Sequence, residues 1–457
     1  MKTERCIRRV RLDAPAQRAF AWHVRSEAFE RLVPAWRDVE RFAASAAPPK
    51  ETEIRWRERR GLWRIPCVTR LRGLRPPSEF TEERVGGLFP PRIHVHRFEA
   101  GSATSCAHVE EVEFRVPRGF VGERLRAEMQ RLLFYRHSVL RHDLRAHLAA
   151  PDRPMKVLVT GSRGLIGRHL IPYLAAGGHR TIRLARRADP SDSDALEWES
   201  ADSEGWEGFD AVVHLAGANL AHRRWTRAWK QTLRVSRVEF TRRLAERLAG
   251  LSRPPRALVC ASAVGWYGAG RRAEAADEEA PAGDGFLAEL ARDWEAAAAP
   301  ARLAGIRVAH LRFGMVLSPR GGALGKMLPA FQAGLGGPLG SGGQWMSWIA
   351  MDDALDAIHR AIWRGSLVGP VNAVAPFPVS QASFAAALGR VLGRPARMCV
   401  PARLVDLAFG EMGRALLLEG VQAAPARLLE DGFAFRFPTL DAALRHLLGR
   451  YPKGTIS

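Results

Sequence analysis

A turn with three regularly spaced glycines in the middle of the chain constrains the fold most strongly. The apolar stretch 155–160 (MKVLVT) is typical of a buried strand, and the turn after it contains Gly161, Gly164 and Gly167. A helix is predicted to open at once, over 165–176. Glycines between a strand and a helix let backbone N–H groups and the helix N-terminus approach a pyrophosphate. The sequence therefore predicts a dinucleotide-binding site at this turn.

Strands alternate with Ala/Leu-rich helices through the second half of the chain. The further strands are predicted at 180–187, 210–218, 256–263 and 306–314, and helices at about 226–249 and 286–304. Near-continuous apolar strands of this kind belong to parallel sheets that are covered on both faces. We therefore predict an α/β fold, a Rossmann-type doubly wound parallel sheet, over residues 155–400.

The end of the second strand of this sheet indicates which dinucleotide is bound. NAD sites usually have an Asp or Glu about 20 residues beyond the turn, which holds the ribose 2′-OH. This chain has Arg186 and Arg187 there, and the first carboxylate is Asp189. Guanidinium groups suit a 2′-phosphate, so we predict NADP (NADPH) as the cofactor. The alternative is a solvated strand end in an Arg-rich chain.

Longer motifs in this half resemble a known family. They are TGSRGLIG (160–167), DAVVHLAGANLAHRRWT (210–226), SAVGWYG (262–268), FLAELARDWEAAA (286–298), LRFGMVLSPRGGALGKML (311–328) and GGPLGSGGQWMSWIAMDD (336–353). They resemble the extended short-chain dehydrogenase/reductases, and more closely the NAD-dependent epimerase/dehydratase, or sugar nucleotide epimerase-related, branch. Residues 401–450 are similar to the short C-terminal domain of that branch.

The resemblance implies a role for individual positions. The implied cofactor contacts are the three glycines with Leu165 and Ile166 at the pyrophosphate, Leu215, Ala216 and Gly217 along the adenosine-ribose and nicotinamide side, and Arg312 to Gly314 beside the nicotinamide. Ser262 matches the active-site Ser/Thr, whose hydroxyl bonds a substrate carbonyl or hydroxyl. Residues Ser347, Trp348, Ile349 and Asp352 would help to close the substrate lobe.

The chain departs from the family at the pair that transfers the proton. Short-chain enzymes use Tyr-x-x-x-Lys, in which the Lys lowers the pKa of the phenol. The helix over 286–298 has neither residue. Tyr267, in the loop after Ser262, is a candidate substitute acid, and packing or substrate contact is the alternative. Glu289 and Asp293, at i, i+4 on one side of that helix, are carboxylate candidates, and an exposed acidic face is the alternative.

The first half of the chain has a different pattern. Residues 1–150 contain short β-branched or aromatic strands, a helix predicted at about 15–30 and a long one at about 122–149. This α+β pattern resembles the polyketide cyclase/START-like helix-grip fold, which implies a cavity for a small hydrophobic ligand. The candidates to line it are Trp22, Trp36, Trp56 and Trp63, with core packing as the alternative.

His94 and His96 in this half share one strand face because side chains alternate along a strand. Two histidines do not define a metal site, and no third ligand is suitably spaced. We predict a pocket-lining or surface pair, and no metal.

Composition narrows the partners. The net charge is +21, and 63 of the 69 basic residues are Arg, spread without a tract or a nucleic-acid-binding module, so we predict no specific nucleic-acid partner. No apolar run reaches the ~18–20 residues of a membrane span, so we predict no transmembrane segment. The N-terminus lacks the pattern of a secretory signal, and the five scattered cysteines fit reduced thiols. These features predict a cytoplasmic location.

Three hypotheses for function follow. The leading one is an NADP(H)-dependent oxidoreductase or epimerase-like enzyme that acts on a carbonyl or carbinol of a small molecule, such as a sugar nucleotide. The second is a non-catalytic NADPH-sensing or hydrophobic-ligand-binding regulatory protein, which the missing Tyr/Lys pair favours. The third is electrostatic binding of nucleic acid or an anionic membrane through residues 1–150, which carry 30 basic and 19 acidic side chains.

Overall fold

The computed structural model describes residues 2–44, 52–60, 63–85, 92–187, 192–199, 204–269, 274–452 and 454. The chain divides into two compact units. The first consists of Met1–Asp152, Pro172–Gly178 and His446–Ser457, and the second of Arg153–Ile171 and His179–Arg445. The predicted domains 1–150, 155–400 and 401–450 stay predictions.

The first unit is built on a seven-stranded antiparallel sheet of order β1-β7-β6-β5-β4-β3-β2. Its elements are β1 (Lys2–Leu12), α1 (Ala16–His23), α2 (Ser26–Leu32), β2 (Asp38–Ala44), β3 (Thr52–Arg60), β4 (Trp63–Arg75), β5 (Glu79–Val85), β6 (Arg92–Ser102), β7 (Ser105–Val116) and α3 (Phe120–Leu148). The predicted helix over 15–30 is two helices, because Arg25 has extended backbone angles between them. Strand β2, with its charged sequence DVERFAA, was not predicted.

The core of this unit lies between the sheet and its helices. Leu12, Phe20, Trp22, Phe80 and Leu140 pack together there and are almost fully buried. Trp63 does not line a cavity: its side chain is 76% exposed, because it lies at the end of the β3–β4 hairpin, paired with Arg60.

The two histidines of β6 share a face as predicted, and both are buried. The surface interpretation is therefore wrong. His94 lines a cavity of about 70 Å³ together with Trp56, Glu82 and Arg136. Further histidines also reach His96 from other elements, which the spacing within one strand did not reveal.

The second unit contains a seven-stranded parallel sheet of order β10-β9-β8-β11-β12-β13-β17. The strands after residue 152 are β8 (Lys156–Thr160), β9 (Arg180–Ala185), β10 (Ala195–Glu197), β11 (Ala211–His214), β12 (Ala257–Ala263), β13 (Arg307–Phe313), β14 (Met315–Leu317), β15 (Trp345–Met346), β16 (Trp348–Ala350), β17 (Gly369–Ala373) and β18 (Val379–Ser380). The strand order reverses at β8, so the crevice between the ends of β8 and β11 is where such sheets bind ligands. The predicted Rossmann-type α/β fold is confirmed.

Helices lie between these strands and, in the C-terminal part, follow the last of them. They are α4 (Gly167–Ala176), α5 (Arg227–Arg234), α6 (Phe240–Ala249), α7 (Phe286–Ala296), α8 (Ala299–Leu303), α9 (Gly322–Gln332), α10 (Met351–Trp363), α11 (Gln381–Leu392), α12 (Ala402–Gly413), α13 (Ala426–Glu430) and α14 (Leu440–Leu448). A π-helical turn over 235–239 joins α5 and α6. Within the described ranges, no helix has the length and apolarity required to cross a membrane.

Candidate cofactor and substrate site

The glycine turn lies at the carboxyl end of β8, and two of its glycines are required by geometry. Gly161 has φ +68°, and a Cβ there would lie 2.6 Å from the carbonyl carbon of Leu215. A Cβ on Gly167 would lie 2.4 Å from the carbonyl oxygen of Gly161. Gly164 is less restricted, since its Cβ would lie 3.1 Å from that same oxygen. The turn therefore presents bare backbone at the start of α4, as a pyrophosphate site requires.

The neighbouring strand end is fastened to this turn by hydroxyl and imidazole groups. The Thr160 hydroxyl accepts the N–H groups of Leu215 (3.1 Å) and Ala216 (3.2 Å) and lies 2.7 Å from His214 Nδ1. His214 Nε2 is 2.8 Å from the Thr241 hydroxyl. Burial and the nearby Arg237 lower the pKa of His214 to about 3, so the imidazole stays neutral. The crevice between β8 and β11 is thus held by neutral hydrogen bonds.

Arg237 is a site residue that the sequence analysis missed. A Cβ on Gly217 would lie 3.2 Å from the Arg237 guanidinium carbon, and the same group lies over the Trp294 ring at 5.1 Å. Burial lowers the pKa of Arg237 to about 10. Its Nη1 atom is buried and has no hydrogen-bond partner among the described residues. An unsatisfied buried cation beside Gly217 fits an anionic ligand in this crevice. Arg237 lies in the π-helical turn, which no local sequence signal marked.

The strand end that was predicted to select the cofactor is open to solvent. Arg186 and Arg187 directly follow β9, the neighbour of β8, and both side chains are exposed. Asp189 lies outside the described residues. Leu165 packs beside Gly321 and Gly322, whose Cβ atoms would lie 3.2 and 3.0 Å from its methyl groups.

Ser262 lies near the end of β12 and is hydrogen-bonded to a carboxylate. Its hydroxyl donates to Glu295 Oε1 on α7 at 2.6 Å, and the Ser262 side chain is buried. Arg312 holds both oxygens of that carboxylate, with Nε at 2.8 Å from Oε1 and Nη2 at 2.9 Å from Oε2. The Arg312 guanidinium also lies over the Trp266 ring at 3.9 Å. Charge-assisted bidentate bonds of this kind fix a side chain in place.

Tyr267 belongs to the same network. Its hydroxyl accepts from Arg312 Nη1 at 3.0 Å and donates to Asn372 Oδ1 at 2.7 Å. Burial raises the pKa of Tyr267, and Arg312 opposes this effect without reversing it. Burial likewise lowers the pKa of Arg312, but Glu295 outweighs it and the pKa is raised. At neutral pH the site therefore holds a neutral phenol and a charged guanidinium.

The two carboxylates singled out from the α7 sequence face away from this network. Glu289 and Asp293 both pair with Arg234, at 2.8 and 2.6 Å, and their side chains are half-exposed. Glu295 is the carboxylate that faces Ser262. Glu295 lies seven residues after Ala288 and four after Ala291, and this helical spacing puts it on the buried face of α7 with them. A carboxylate on the apolar face of an amphipathic helix is the signal that could have identified it.

The segment predicted to close the substrate lobe is buried structure. A Cβ on Gly314 would lie 2.5 Å from the Ser347 carbonyl oxygen, so the two backbones touch. The Ser347 hydroxyl donates to Val421 O at 2.8 Å and accepts from Ala423 N at 2.9 Å. Trp348, Ile349 and Asp352 are buried behind it.

Comparison with known proteins agrees with this geometry. Residues 157–372 match the NAD dependent epimerase/dehydratase family, and residues 400–447 match a domain of unknown function, DUF1731. An epimerase family protein of Mycobacterium bovis, Mb2239, is 43% identical over 298 residues, which cover 64% of this chain and 98% of that protein. The human epimerase family protein SDR39U1 is 38% identical over 299 residues, 64% of this chain and 100% of its own.

Two solved structures resemble the chain over different extents. The nucleoside-diphosphate sugar epimerase of Corynebacterium glutamicum has 32% identity and a TM-score of 0.80. The match covers 97% of this chain and 90% of the epimerase chain. Human SDR39U1, crystallised with NADPH, has 36% identity and a TM-score of 0.61. The match covers 65% of this chain and 100% of the SDR39U1 chain. On this similarity, the chain belongs to the NAD dependent epimerase/dehydratase family.

Proposed function

We propose that this protein binds NADPH at the carboxyl end of β8 and acts on a carbonyl or carbinol of a small-molecule substrate. The observation that carries the proposal is the bare backbone at Gly161 and Gly167 together with the unsatisfied Arg237 guanidinium in the same crevice. Bound NADP(H) supplies or accepts hydride in such a reaction. The nucleoside-diphosphate sugar epimerase with a TM-score of 0.80 supports a sugar nucleotide as the substrate class.

The preference for NADPH is assigned to Arg186 and Arg187. Both are exposed at the end of β9, where a ribose 2′-phosphate would lie, and the human relative was crystallised with NADPH. Calorimetric titration with NADPH and NADH tests this. Charge reversal, Arg186→Glu with Arg187→Glu, should reduce the NADPH:NADH affinity ratio by at least ~10-fold. Arg180→Glu, an exposed arginine at the other end of the same strand, is the matched control. An unchanged ratio in the double variant would reject the assignment.

We assign the transfer of the substrate hydroxyl proton to Ser262 and Glu295. Because the Ser262 hydroxyl donates to Glu295, its lone pairs are available to accept the O–H of a substrate carbinol. When the carbinol is oxidised, its proton passes to Ser262 Oγ while the Ser262 proton moves to the Glu295 carboxylate. Arg312 holds Glu295 in position. Tyr267, which bonds Arg312 and Asn372, is proposed as a positioning residue for Arg312.

Turnover with substituted enzymes tests these roles. Oxidation and reduction of a panel of UDP-sugars and simple carbonyl compounds should be followed by NADPH absorbance. We expect Ser262→Ala and Glu295→Gln to lower kcat by about 10²–10⁴-fold with NADPH affinity unchanged. Glu289→Gln, on the exposed side of the same helix, is the control. Normal turnover in Ser262→Ala would exclude the relay.

The alternative is a non-catalytic NADPH-binding protein. One observation favours it: Ser262, Glu295, Arg312 and Tyr267 satisfy one another by hydrogen bonds, as a purely structural network would. Stoichiometric NADPH binding without turnover of any member of the panel would support this second function.

Two further assignments go with the proposal. The first unit is assigned to the START-like helix-grip type, supported by its antiparallel sheet and the 29-residue helix α3. A hydrophobic ligand in that unit stays a prediction, and two cavities there measure about 70 and 40 Å³, below the ~300–1,000 Å³ of small-molecule sites.

The second assignment is a cytoplasmic location. It is supported by the free thiols of Cys67, Cys106 and Cys260 in the core.

A further inference from the structure

A group of buried histidines and carboxylates lies on the inner face of the antiparallel sheet of the first unit. We call it the histidine cluster; its members are His23, Glu82, His94, His96, His108, Glu110, Arg136 and His137. All except Glu82 are at most 8% exposed, and the Glu82 side chain is 16% exposed. Buried polar atoms normally have hydrogen-bond partners, and an unsatisfied one calls for an explanation such as a bound water or ion.

Strand register brings the sheet members of the cluster together. Glu82 on β5 lies opposite His94 on β6, and His96 lies opposite Glu110 on β7. His108 pairs with Phe98 two residues further along β6. Opposed residues share a face of the sheet, so three adjacent strands present their imidazoles and carboxylates to the same space. Helix α1 adds His23, and α3 adds Arg136 and His137.

Three of the histidines have the geometry of a metal-binding triad. One ring nitrogen from each of His23, His96 and His108 lies within 4.8 Å of the others. His96 Nδ1 and His108 Nε2 are 3.2 Å apart. Two nitrogens bound tetrahedrally to one ion at ~2.0–2.1 Å would be separated by about 3.4 Å. The pair therefore already has the spacing of two ligands of one ion.

Aromatic neighbours fix the planes of two of these rings. Phe80 stacks on His96, with ring centroids 4.5 Å apart and an interplanar angle of 12°. Phe98 stacks on His108 at 4.6 Å and 21°. Ligands whose rotamers are held by packing form a pre-organised site.

The charges of the cluster favour a cation. Arg136 lies 3.1 Å from Glu82 Oε1 and 3.3 Å from Glu110 Oε1. Two carboxylates, one of them fully buried, therefore face one guanidinium, and negative charge in a core is costly unless cations balance it.

Several ring nitrogens of the cluster have no hydrogen-bond partner among the described residues. They include His23 Nδ1, and also His96 Nε2 and His108 Nδ1, which are the outer nitrogens of the pair whose inner nitrogens are 3.2 Å apart. His96 Nε2 lies 3.7 Å from Glu82 Oε1 and 4.0 Å from Glu110 Oε1. Metal-binding histidines usually donate their outer N–H to a carboxylate, and a small shift would give His96 that bond.

We propose that His23, His96 and His108 bind one divalent first-row transition-metal ion, such as Zn²⁺. Imidazole nitrogens select this class of ion over Mg²⁺ or Ca²⁺, which prefer oxygen ligands. Glu82 and Glu110 balance its charge and orient His96. The cavity of about 70 Å³ that borders Glu82, His94 and Arg136 has room for water beside the cluster. The site is independent of the proposed NADPH site, so either can fail alone.

Metal titration of the full-length protein tests the site. After dialysis against a chelator, Zn²⁺ and Co²⁺ are added in competition with a chromophoric chelator. We expect one ion per chain, and Co²⁺ should give the visible d–d bands of a tetrahedral site. His23→Asn and His108→Asn should weaken binding at least ~100-fold. His142→Asn is the matched control, since His142 is a half-buried histidine of α3 that bonds Ser138 O of its own helix at 2.7 Å.

A second set of possible ligands is Glu82, His94 and His96, whose ligand atoms also lie within 4.8 Å of one another. The variants distinguish this set from the proposed triad. Loss of binding in His94→Asn with retention in His23→Asn and His108→Asn would overturn the triad. Failure of the wild-type protein to retain an ion against the chelator would overturn the site altogether. X-ray absorption at the zinc edge of the wild-type protein avoids any folding defect in the variants. It should show imidazole nitrogens at ~2.0–2.1 Å, and a spectrum without them would also reject the proposal.

Discussion

Each unit has a buried arginine held by carboxylate, but the two sites are assembled differently. In the second unit, Ser262 and Arg312 stand near the ends of adjacent parallel strands, and Glu295 reaches them from the next helix. In the first unit, Arg136 meets Glu82 and Glu110 on the face of an antiparallel sheet. Parallel strands bring their carboxyl ends to one edge, whereas a face is assembled by register between strands. The two sites therefore differ in how directly chain order determines them.

The largest expected effect concerns the charged interior of the first unit. Arg31 and Asp143 form a bidentate pair with bonds of 2.6 and 3.0 Å, and both side chains are buried. Asp143→Asn should lower the free energy of unfolding of this unit by about 3–5 kcal/mol, because it removes the negative charge that the buried Arg31 guanidinium binds. Urea unfolding monitored by circular dichroism measures it.

The matched control is Asp152→Asn, since Asp152 is an exposed carboxylate paired with Arg18. It should change the free energy of unfolding by less than about 0.5 kcal/mol. Equal effects of the two substitutions would mean that burial of the Arg31–Asp143 pair does not determine its contribution.

The next effect concerns the glycine turn of the second unit. Gly161→Val places side-chain atoms where a Cβ already lies 2.6 Å from Leu215, at a residue with φ +68°. We expect NADPH affinity to fall at least ~100-fold in calorimetric titration, through strain and overpacking. Gly164→Ala, with more room and no positive φ, should cost far less. Zn²⁺ binding by the first unit should be unchanged in both variants. A Gly161→Val protein with normal NADPH affinity would contradict the assigned cradle.

This contrast explains how far the sequence predicts each site. Gly161 and Gly167 were predictable because their constraint is local: a strand, a turn and a helix in consecutive residues. The place of Ser262 followed from the resemblance and the strand order. The role of Glu295 was not predicted, because the i, i+4 spacing of Glu289 and Asp293 pointed to the other face of α7, which is exposed.

The histidine cluster could not be assembled from spacing. The alternation in RIHVHRF placed His94 and His96 on one face correctly, but it carries no information about which residues lie opposite. His108 comes close only because of the β6–β7 register, and His23 only because α1 packs against the sheet. Both depend on tertiary pairing, which a periodic pattern does not specify.

A smaller effect concerns the neutral interior at the β8–β11 crevice. The pKa of His214 is about 3 in the folded protein, lowered by burial, against 6.5 for a free histidine. The unfolded chain therefore binds more protons, and the contribution is present above pH 6.5 and is lost as the pH falls toward 3. From pH 7 to pH 5 the loss should be about 2 kcal/mol.

Because other buried histidines titrate in the same direction, the measurement must be a difference. Urea unfolding of the wild type and His214→Asn should be compared at pH 7, 6 and 5. The advantage of the wild type should shrink by about 2 kcal/mol over that range, since only it carries the depressed imidazole. A constant difference would mean that His214 is already protonated in the folded protein, or is not excluded from water.

The smallest effect concerns the exposed side of α7. Glu289→Gln removes one of two carboxylates paired with Arg234, and the other, Asp293, remains at 2.6 Å. Half-exposed ion pairs contribute little because water screens them, so the free energy of unfolding should change by less than about 0.5 kcal/mol in thermal melts. Glu295→Gln, six residues later on the buried face, should cost more because it weakens the bidentate bond to Arg312. If the two variants changed the free energy of unfolding equally, burial on α7 would not distinguish Glu295 of the proposed relay from the exposed Glu289.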